Sequence, residues 1–352
     1  MTEAVAAPAG GSTGTMTAAV FEGDGRWSLQ ERPMPRVQRA DDVVVEVEAC
    51  GICGTDLQIL NVPPGHPATP GTILGHEFVG RIVDLGEGAG ELAGLRPGMR
   101  VVVDPDPKCG VCRNCRAGRP ASCVNIVALG IFRDGGLAKR VVAPASAVYP
   151  IADAVPAEVA AVVEPLACVV NGANKANVRP GESVVVFGAG PIGSLFTAVL
   201  GAAGASPIIV VEPSTKRHAV VRAAGAREVL TPDEFAARRA ELLPFGADVV
   251  VDAVGTQFGT AVEVAALGGR IVLFGQNANA RPPIHQYSIT ERSLSVMGTY
   301  ITAFTFPPAI RLVEQGILPL AAIVTHVLPL TRLGEGFDLL RSGEATKVVI
   351  TP

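Results

Sequence analysis

Residues 182–205 read ESVVVFGAGPIGSLFTAVLGAAGA. A short apolar run, VVVF, meets a glycine turn and then a stretch of small and apolar residues. The pattern G-x-G-x-x-G falls on Gly188, Gly190 and Gly193. Alone it is weak; between a strand and a helix it is the signature of a turn that cradles a dinucleotide pyrophosphate. Gly188 permits the tight turn, Gly190 lets the backbone approach the phosphates, and Gly193 lets the helix pack on the sheet. Pro191 and Ile192 open that helix, whose unpaired N–H groups face the anion.

The next apolar run, PIIVVE, ends at Glu212, nineteen residues after Gly193 (212 − 193). That is the reach of an acid that accepts ribose hydroxyls and repels a 2′-phosphate, which predicts NAD over NADP. Lys216 and Arg217 carry the charge that would attract such a phosphate; they are read as flanking the adenine. Further strands at 227–230, 247–255 and 268–276 continue a doubly wound parallel sheet. Val254, Phe274 and Gly275 fall at strand ends facing the cofactor crevice. His218 is read as a solvated helix residue, and His285 as a loop residue with no role.

Upstream, CGVCRNCRAGRPASC places Cys109, Cys112, Cys115 and Cys123 in a C-x2-C-x2-C-x7-C array. Such spacing lets one loop wrap a tetrahedral zinc ion. Pro105, Pro107, Gly110, Gly118 and Pro120 make the segment a loop, and the spacing is not that of a ferredoxin. Four sulfurs close the shell, so this zinc is structural. A reactive metal needs ligands from elsewhere. ACGICGTDL (49–57) offers Cys50 and Cys53, and LGHEFVGRIVDLG (74–86) offers His76 and Glu77. Thiolate and imidazole are a catalytic zinc pair, wanting a third ligand and one open position. For either residue alone, a buried thiol or a satisfied core histidine is the competing reading.

In this order, GICGTDL, GHEFVG, the four-cysteine lobe and FGAGPIG resemble the medium-chain zinc-dependent alcohol dehydrogenase family, from about Met16 onward. VVEPLACVV, with Glu164, resembles the sorbitol, polyol and threonine dehydrogenase branch. The resemblance implies Cys53 and His76 as catalytic zinc ligands, with Glu164 as the third, bound directly or through water. It implies that Glu77 approaches the metal during ligand exchange, that Thr55 contacts the substrate oxygen, and that Asp56 orients His76. It places Lys347 near the cofactor pyrophosphate. Two anionic ligands and one neutral one would nearly cancel the metal charge while leaving a Lewis acid. Glu164 precedes Pro165 at a helix start, where a carboxylate is favoured. Cys50 reads as core. Cys168, one turn after Glu164, reads as a buried thiol near the metal. Two departures stand out. Gln58 occupies the position where many relatives carry a proton-relay histidine, and Gln cannot carry a proton. Lys139 stands where many have glutamate. Tyr300 is a candidate pocket wall.

The chain of 352 residues has room for two cores. The expected architecture is α/β. A β-rich GroES-like catalytic domain spans 16–164 and 299–352, with its zinc lobe at 105–126, and a Rossmann dinucleotide domain spans 165–298. The active site would lie in the cleft between them. Residues 1–15 are rich in small residues and are expected to be a disordered leader. They lack the basic flank and apolar run of a signal peptide. That predicts a reducing cytoplasm, where seven cysteines are not a disulfide framework. No run of eighteen apolar residues is free of Gly, Pro or charge, so no membrane span is expected. The net charge of −4 argues against nucleic acid. Arg113, Arg116 and Arg119 in the lobe are the only support for that idea, and no aromatics interleave them.

The expected function is reversible oxidation of a secondary alcohol to a ketone with NAD and two zinc ions per subunit, one catalytic and one structural. The polyol-branch resemblance suggests a polar substrate, a polyol, sugar, cyclitol or amino-alcohol. An aromatic content of only 5% agrees. Threonine 3-dehydrogenase-like and simple alcohol dehydrogenase activity are the alternatives within the class. The alternative outside it is a zinc-stabilised dinucleotide-binding protein without activity, which would have no need of an open metal site. The family resemblance implies a homodimer or homotetramer.

Overall fold

The computed structural model describes residues 14–352. Residues 1–13 of the expected leader lie outside the described residues, and its last member, Thr15, already belongs to a strand. Two sheets organise the chain. The first is built from β3 (Asp42–Gly51), β4 (Glu77–Leu85), β5 (Arg100–Val103), β6 (Arg140–Pro144) and β7 (Val148–Pro150). A hairpin of β1 (Thr15–Gly23) and β2 (Arg26–Pro33) precedes it. The second sheet comprises β8 (Val184–Phe187), β9 (Ile208–Val211), β10 (Glu228–Leu230), β11 (Ala247–Asp252), β12 (Ala265–Leu273) and β13 (Ser295–Gly298). The chain then supplies β14 (Val324–Pro329) and β15 (Lys347–Thr351), which return to the first sheet.

The second sheet has the order β10-β9-β8-β11-β12-β13, and each pairing is parallel. VVVF is buried along its whole length, as expected for a central strand covered by helices on both faces. The strand order reverses between β8 and β11, so a crevice opens above their carboxyl ends, at Gly188. The first sheet runs β14-β15-β3-β4-β5-β7, with β6 also on β3. β15 pairs antiparallel with β3, setting Val349 opposite Gly51 and Ile350 opposite Cys50. A strand from the far end of the chain therefore lies beside the segment that carries Cys53.

The helix Val163–Ala176 joins the two sheets. Its first ten residues, Val163 to Gly172, are all buried, as in a helix surrounded by protein. It packs on the helices Pro191–Ala202 and Phe306–Glu314 and touches β4, β5 and β12. Its N-terminal turn opens on the cleft between the sheets.

Candidate active site

A cavity of about 270 Å³ occupies that cleft. β3 runs out at Gly51 and delivers Cys53 to the start of the short helix Gly54–Ile59. Asp56, in the first turn of that helix, accepts the Cys53 N–H at 2.9 Å and so closes the turn. The other oxygen of Asp56 lies 3.6 Å from His76 Nδ1, which leaves the opposite ring nitrogen for a metal. Glu77 opens β4 opposite Gly51. One donor atom from each of Cys53, His76 and Glu77 falls within 4.8 Å of the others.

One expectation needs correction here, that for Lys347. Glu164 lines the same cavity but is not in that tight set; its Oε1 accepts the Cys168 S–H at 3.4 Å. The residue drawn close is Glu77, because β4 places it directly after His76. Lys347 does not stand free for a pyrophosphate. It is fully buried, and its Nζ bonds the Glu77 carboxylate and the Ile52 carbonyl, the latter at 2.9 Å. β15 lies against β3, so the lysine points under the metal donors.

The donor set fits a cation. Burial opposes a charged His76, yet the negative charges of Asp56 and Cys53 carry its pKa well above the ordinary value. Asp56 Oδ1 and His76 Nδ1 are buried without a hydrogen bond within normal reach. Burial, then the charge of Glu77, raises the Glu164 carboxyl to about 8. Buried anions that hold a proton against their own desolvation are a site that a divalent ion would satisfy.

The four lobe cysteines form a second set with all sulfurs within 4.8 Å. Cys109 and Cys123 sulfurs are 3.5 Å apart, close to the edge of about 3.8 Å of a tetrahedron with Zn–S near 2.3 Å. Backbone N–H groups of Val111 and Cys112 lower the Cys109 pKa to about 6, the thiolate form that zinc requires. Among the described residues all seven cysteines are free thiols.

The dinucleotide end continues the same space. Ile192, Val254, Phe274 and Gly275 line the cavity together with Cys53, Thr55 and His76. Gly188 has φ +97°, and a Cβ on Gly193 would overlap the Gly188 carbonyl. Both positions therefore require glycine. Gly190 caps the helix that Pro191 begins. The Glu212 carboxylate is buried and accepts the Ala189 N–H at 2.7 Å and the Ser214 N–H at 2.9 Å, which holds the glycine loop to the end of β9. Lys216 pairs with Glu344 at 2.8 Å. Arg217, read as flanking adenine, reaches the Leu340 carbonyl at 3.5 Å, with its Nε buried and unpartnered. His218 is buried, not solvated, with Nε2 2.9 Å from the Glu212 carbonyl.

Comparison with known proteins agrees with this geometry. Residues 39–153 match the alcohol dehydrogenase GroES-like domain, and residues 191–315 match the zinc-binding dehydrogenase domain. An L-threonine 3-dehydrogenase of Anaeromyxobacter sp. (strain K) is 33% identical over 336 residues, covering 93% of this chain and 95% of that protein. The chain belongs to the medium-chain zinc-dependent alcohol dehydrogenase family. A protein described as a zinc-binding dehydrogenase of Sinorhizobium meliloti 1021, bound to NADP, superposes with a TM-score of 0.89 at 31% identity, covering 96% of this chain and 99% of that one. The 2R,3R-butanediol dehydrogenase of Bacillus subtilis gives a TM-score of 0.86 at 27% identity, with coverage of 96% and 99%. This dehydrogenase is thus a zinc-dependent oxidoreductase that acts on an alcohol with a nicotinamide dinucleotide.

Several cavity residues of this dehydrogenase escaped sequence reading. His66, Asp106 and Phe132 line the space. Asp106 lies three residues before the first lobe cysteine, and nothing in the sequence shows that the lobe's base folds over the substrate pocket. Lys108 fixes that base: its Nζ bonds both Asp104 oxygens, at 2.9 and 3.0 Å, and Thr302 Oγ1 at 2.9 Å. A larger groove of about 760 Å³ lies between β2 and β6 and holds none of the metal donors. Its Arg39 and Arg140 are already paired with Asp41 and Glu46.

Proposed function

We propose that this protein catalyses the reversible, NAD-linked oxidation of a polar secondary alcohol to a ketone. One observation carries the reading: a single cavity is lined at one end by Cys53, Thr55 and His76 and at the other by Ile192, Val254 and Gly275. Residues 16–164 and 299–352 supply the metal end, and residues 165–298 the cofactor end.

Cys53, His76 and Glu164 would hold the catalytic ion. Glu77 is paired with Lys347, whereas Glu164, left holding its proton by burial, would give it up to a bound cation. When bound, zinc supplies a Lewis acid that lowers the pKa of an alcohol oxygen. Thr55 Oγ1, 3.6 Å from Cys53 Sγ, would accept the alcohol proton while passing its own hydroxyl proton to water or the cofactor ribose. Gln58 takes no part in passing it on, because its Nε2 donates to the Gln276 carbonyl at 2.8 Å. Half-buried His66 lines the same cavity. When bound, the dinucleotide would supply the hydride acceptor for the carbinol carbon, and with the alcohol proton lost to solvent the balance would be ketone, reduced cofactor and H⁺.

Glu212 supports NAD, since a phosphate on the ribose would meet a buried carboxylate. Lys216 is paired with Glu344 and does not offset it. The S. meliloti protein carries NADP, so cofactor preference is tested separately below. L-threonine oxidation is the second reading, supported by the names of the relatives. We read the protein as a cytoplasmic homodimer or homotetramer. Free thiols support that compartment, and among the described residues no helix is long and apolar enough to cross a membrane. β13 is an edge strand whose outer side pairs with no other described strand, which supports pairing between copies.

The test is a metal count on Cys53→Ser. Two zinc ions per chain should fall to one, NADH formation should cease, and circular dichroism should not change. A variant that keeps both ions and full turnover removes the reading.

A further inference from the structure

Counting charge around the cavity leaves one group over. Glu77 is paired with Lys347, and Asp104 with Lys108. Asp56 faces His76. Cys53 and Glu164 are assigned to the ion. Asp106 remains. It is 8% exposed and lines the cavity. Its own N–H bonds Asp104, but no hydrogen bond or ion pair among the described residues reaches its carboxylate. Burial pushes its carboxyl up to about 6; Lys108 opposes that rise, Asp104 adds to it and His76 relieves it. A carboxylate nine-tenths buried without a partner is costly unless a ligand supplies one.

The rest of the wall points the same way. No lysine or arginine lines the cavity among the described residues. Phe132 and Tyr300 do line it, and burial, then the Asp106 charge, raises the Tyr300 phenol pKa. A carboxylate beside aromatic rings is the chemistry of ammonium recognition. The lack of a side-chain cation disfavours a substrate carrying a carboxylate or phosphate.

We propose that the substrate is an amino alcohol bearing a cationic amine and no acidic group, and that Asp106 binds that amine. This deepens the dehydrogenase reading and rests on it for the reacting carbon. It separates the protein from threonine oxidation, because threonine's carboxylate would enter a pocket with no side-chain cation and an unpaired anion.

Three matched probes test it: 1-aminopropan-2-ol, propane-1,2-diol and L-threonine. The first differs from threonine by the missing carboxylate, and from the diol by ammonium in place of hydroxyl. With the zinc-loaded enzyme and NAD at pH 7.5, kcat/KM for the amine should exceed that for the diol and for threonine by at least about tenfold. In Asp106→Asn the amine-to-diol ratio should fall by at least about tenfold, and Asp106→Glu should recover part of it. Calorimetric titration with the amine should show the same loss of affinity in Asp106→Asn, while thermal melts confirm folding. If the diol is oxidised but the amine gains nothing, or if Asp106→Asn leaves the ratio unchanged, this inference fails and the dehydrogenase reading stands. If no alcohol is oxidised yet the amine binds through Asp106, the site survives and the dehydrogenase reading falls. Preference for L-threonine overturns the inference.

Discussion

Gly51 has no side chain because Glu77 and Lys347 occupy the space. A Cβ there would overlap the Glu77 carboxylate and lie 2.9 Å from Lys347 Cε. The pair is buried to 1% exposure on both sides. Removing one partner of such a pair leaves a naked charge, which costs about 3–5 kcal/mol. Lys347→Met should therefore lower the urea midpoint by that equivalent, and adding Glu77→Gln should restore most of it. A second residue-scale outcome concerns Glu212. In Glu212→Ser the ratio of kcat/KM with NAD to that with NADP should fall by about tenfold or more, and an unchanged ratio would place ribose selection elsewhere. At this scale Cys53, His76 and the lobe cysteines were legible because ligand chemistry writes itself in residue type and spacing. Lys347 and Asp106 were not. Their partners lie 270 residues away in one case and outside the protein in the other, and no local pattern records either.

Among the elements, the helix Val163–Ala176 sets the pocket twice. Its first turn carries Glu164, with Cys168 one turn on. Further along, buried Asn171 donates to the carbonyls of Tyr300 at 3.3 Å and Ile301 at 2.8 Å. Lys175 adds a bond to the Gly298 carbonyl at 2.7 Å. The loop so held carries Ile301 at φ +39° and Phe304 at φ +59°, conformations that cost energy for these residues. Asn171→Ala should release the loop, raising KM for the alcohol several-fold while leaving zinc content at two and NAD affinity unaltered by titration. The glycine turn was legible because strand, turn and helix lie in one stretch of chain. His218 was misread for the opposite reason: a lone histidine on a charged helix looks solvated until the carbonyl it meets, at Glu212, is known.

For the molecule as a whole, the lobe and the pocket are mechanically joined. Lys108, next to Cys109, ties Asp104, just past β5, to Thr302 of the pocket loop. Cys112→Ser should remove the structural zinc, lower the melting temperature, and also reduce kcat/KM although the catalytic ion is retained. A variant with one zinc and unaltered kinetics would show the lobe to be an independent appendage. The division into a β-rich unit and a parallel-sheet unit was readable from the alternation of strand and helix patterns. The sheet register that joins them was not, since it depends on which edge β15 selects.

That selection has a consequence in time. Ile52 and Lys347 are 295 residues apart, and the whole parallel sheet is synthesised between them. At 5–20 residues per second a ribosome needs roughly 15–60 s to cover that distance. The dinucleotide fold can mature during the delay, because its contacts are local by comparison. Throughout that interval Glu77 has no lysine to neutralise it, and the floor of the metal pocket is missing. Nascent chains would thus acquire cofactor competence before catalytic-metal competence, and filling of the pocket's metal site, not that of the lobe, would be the closing act of biogenesis.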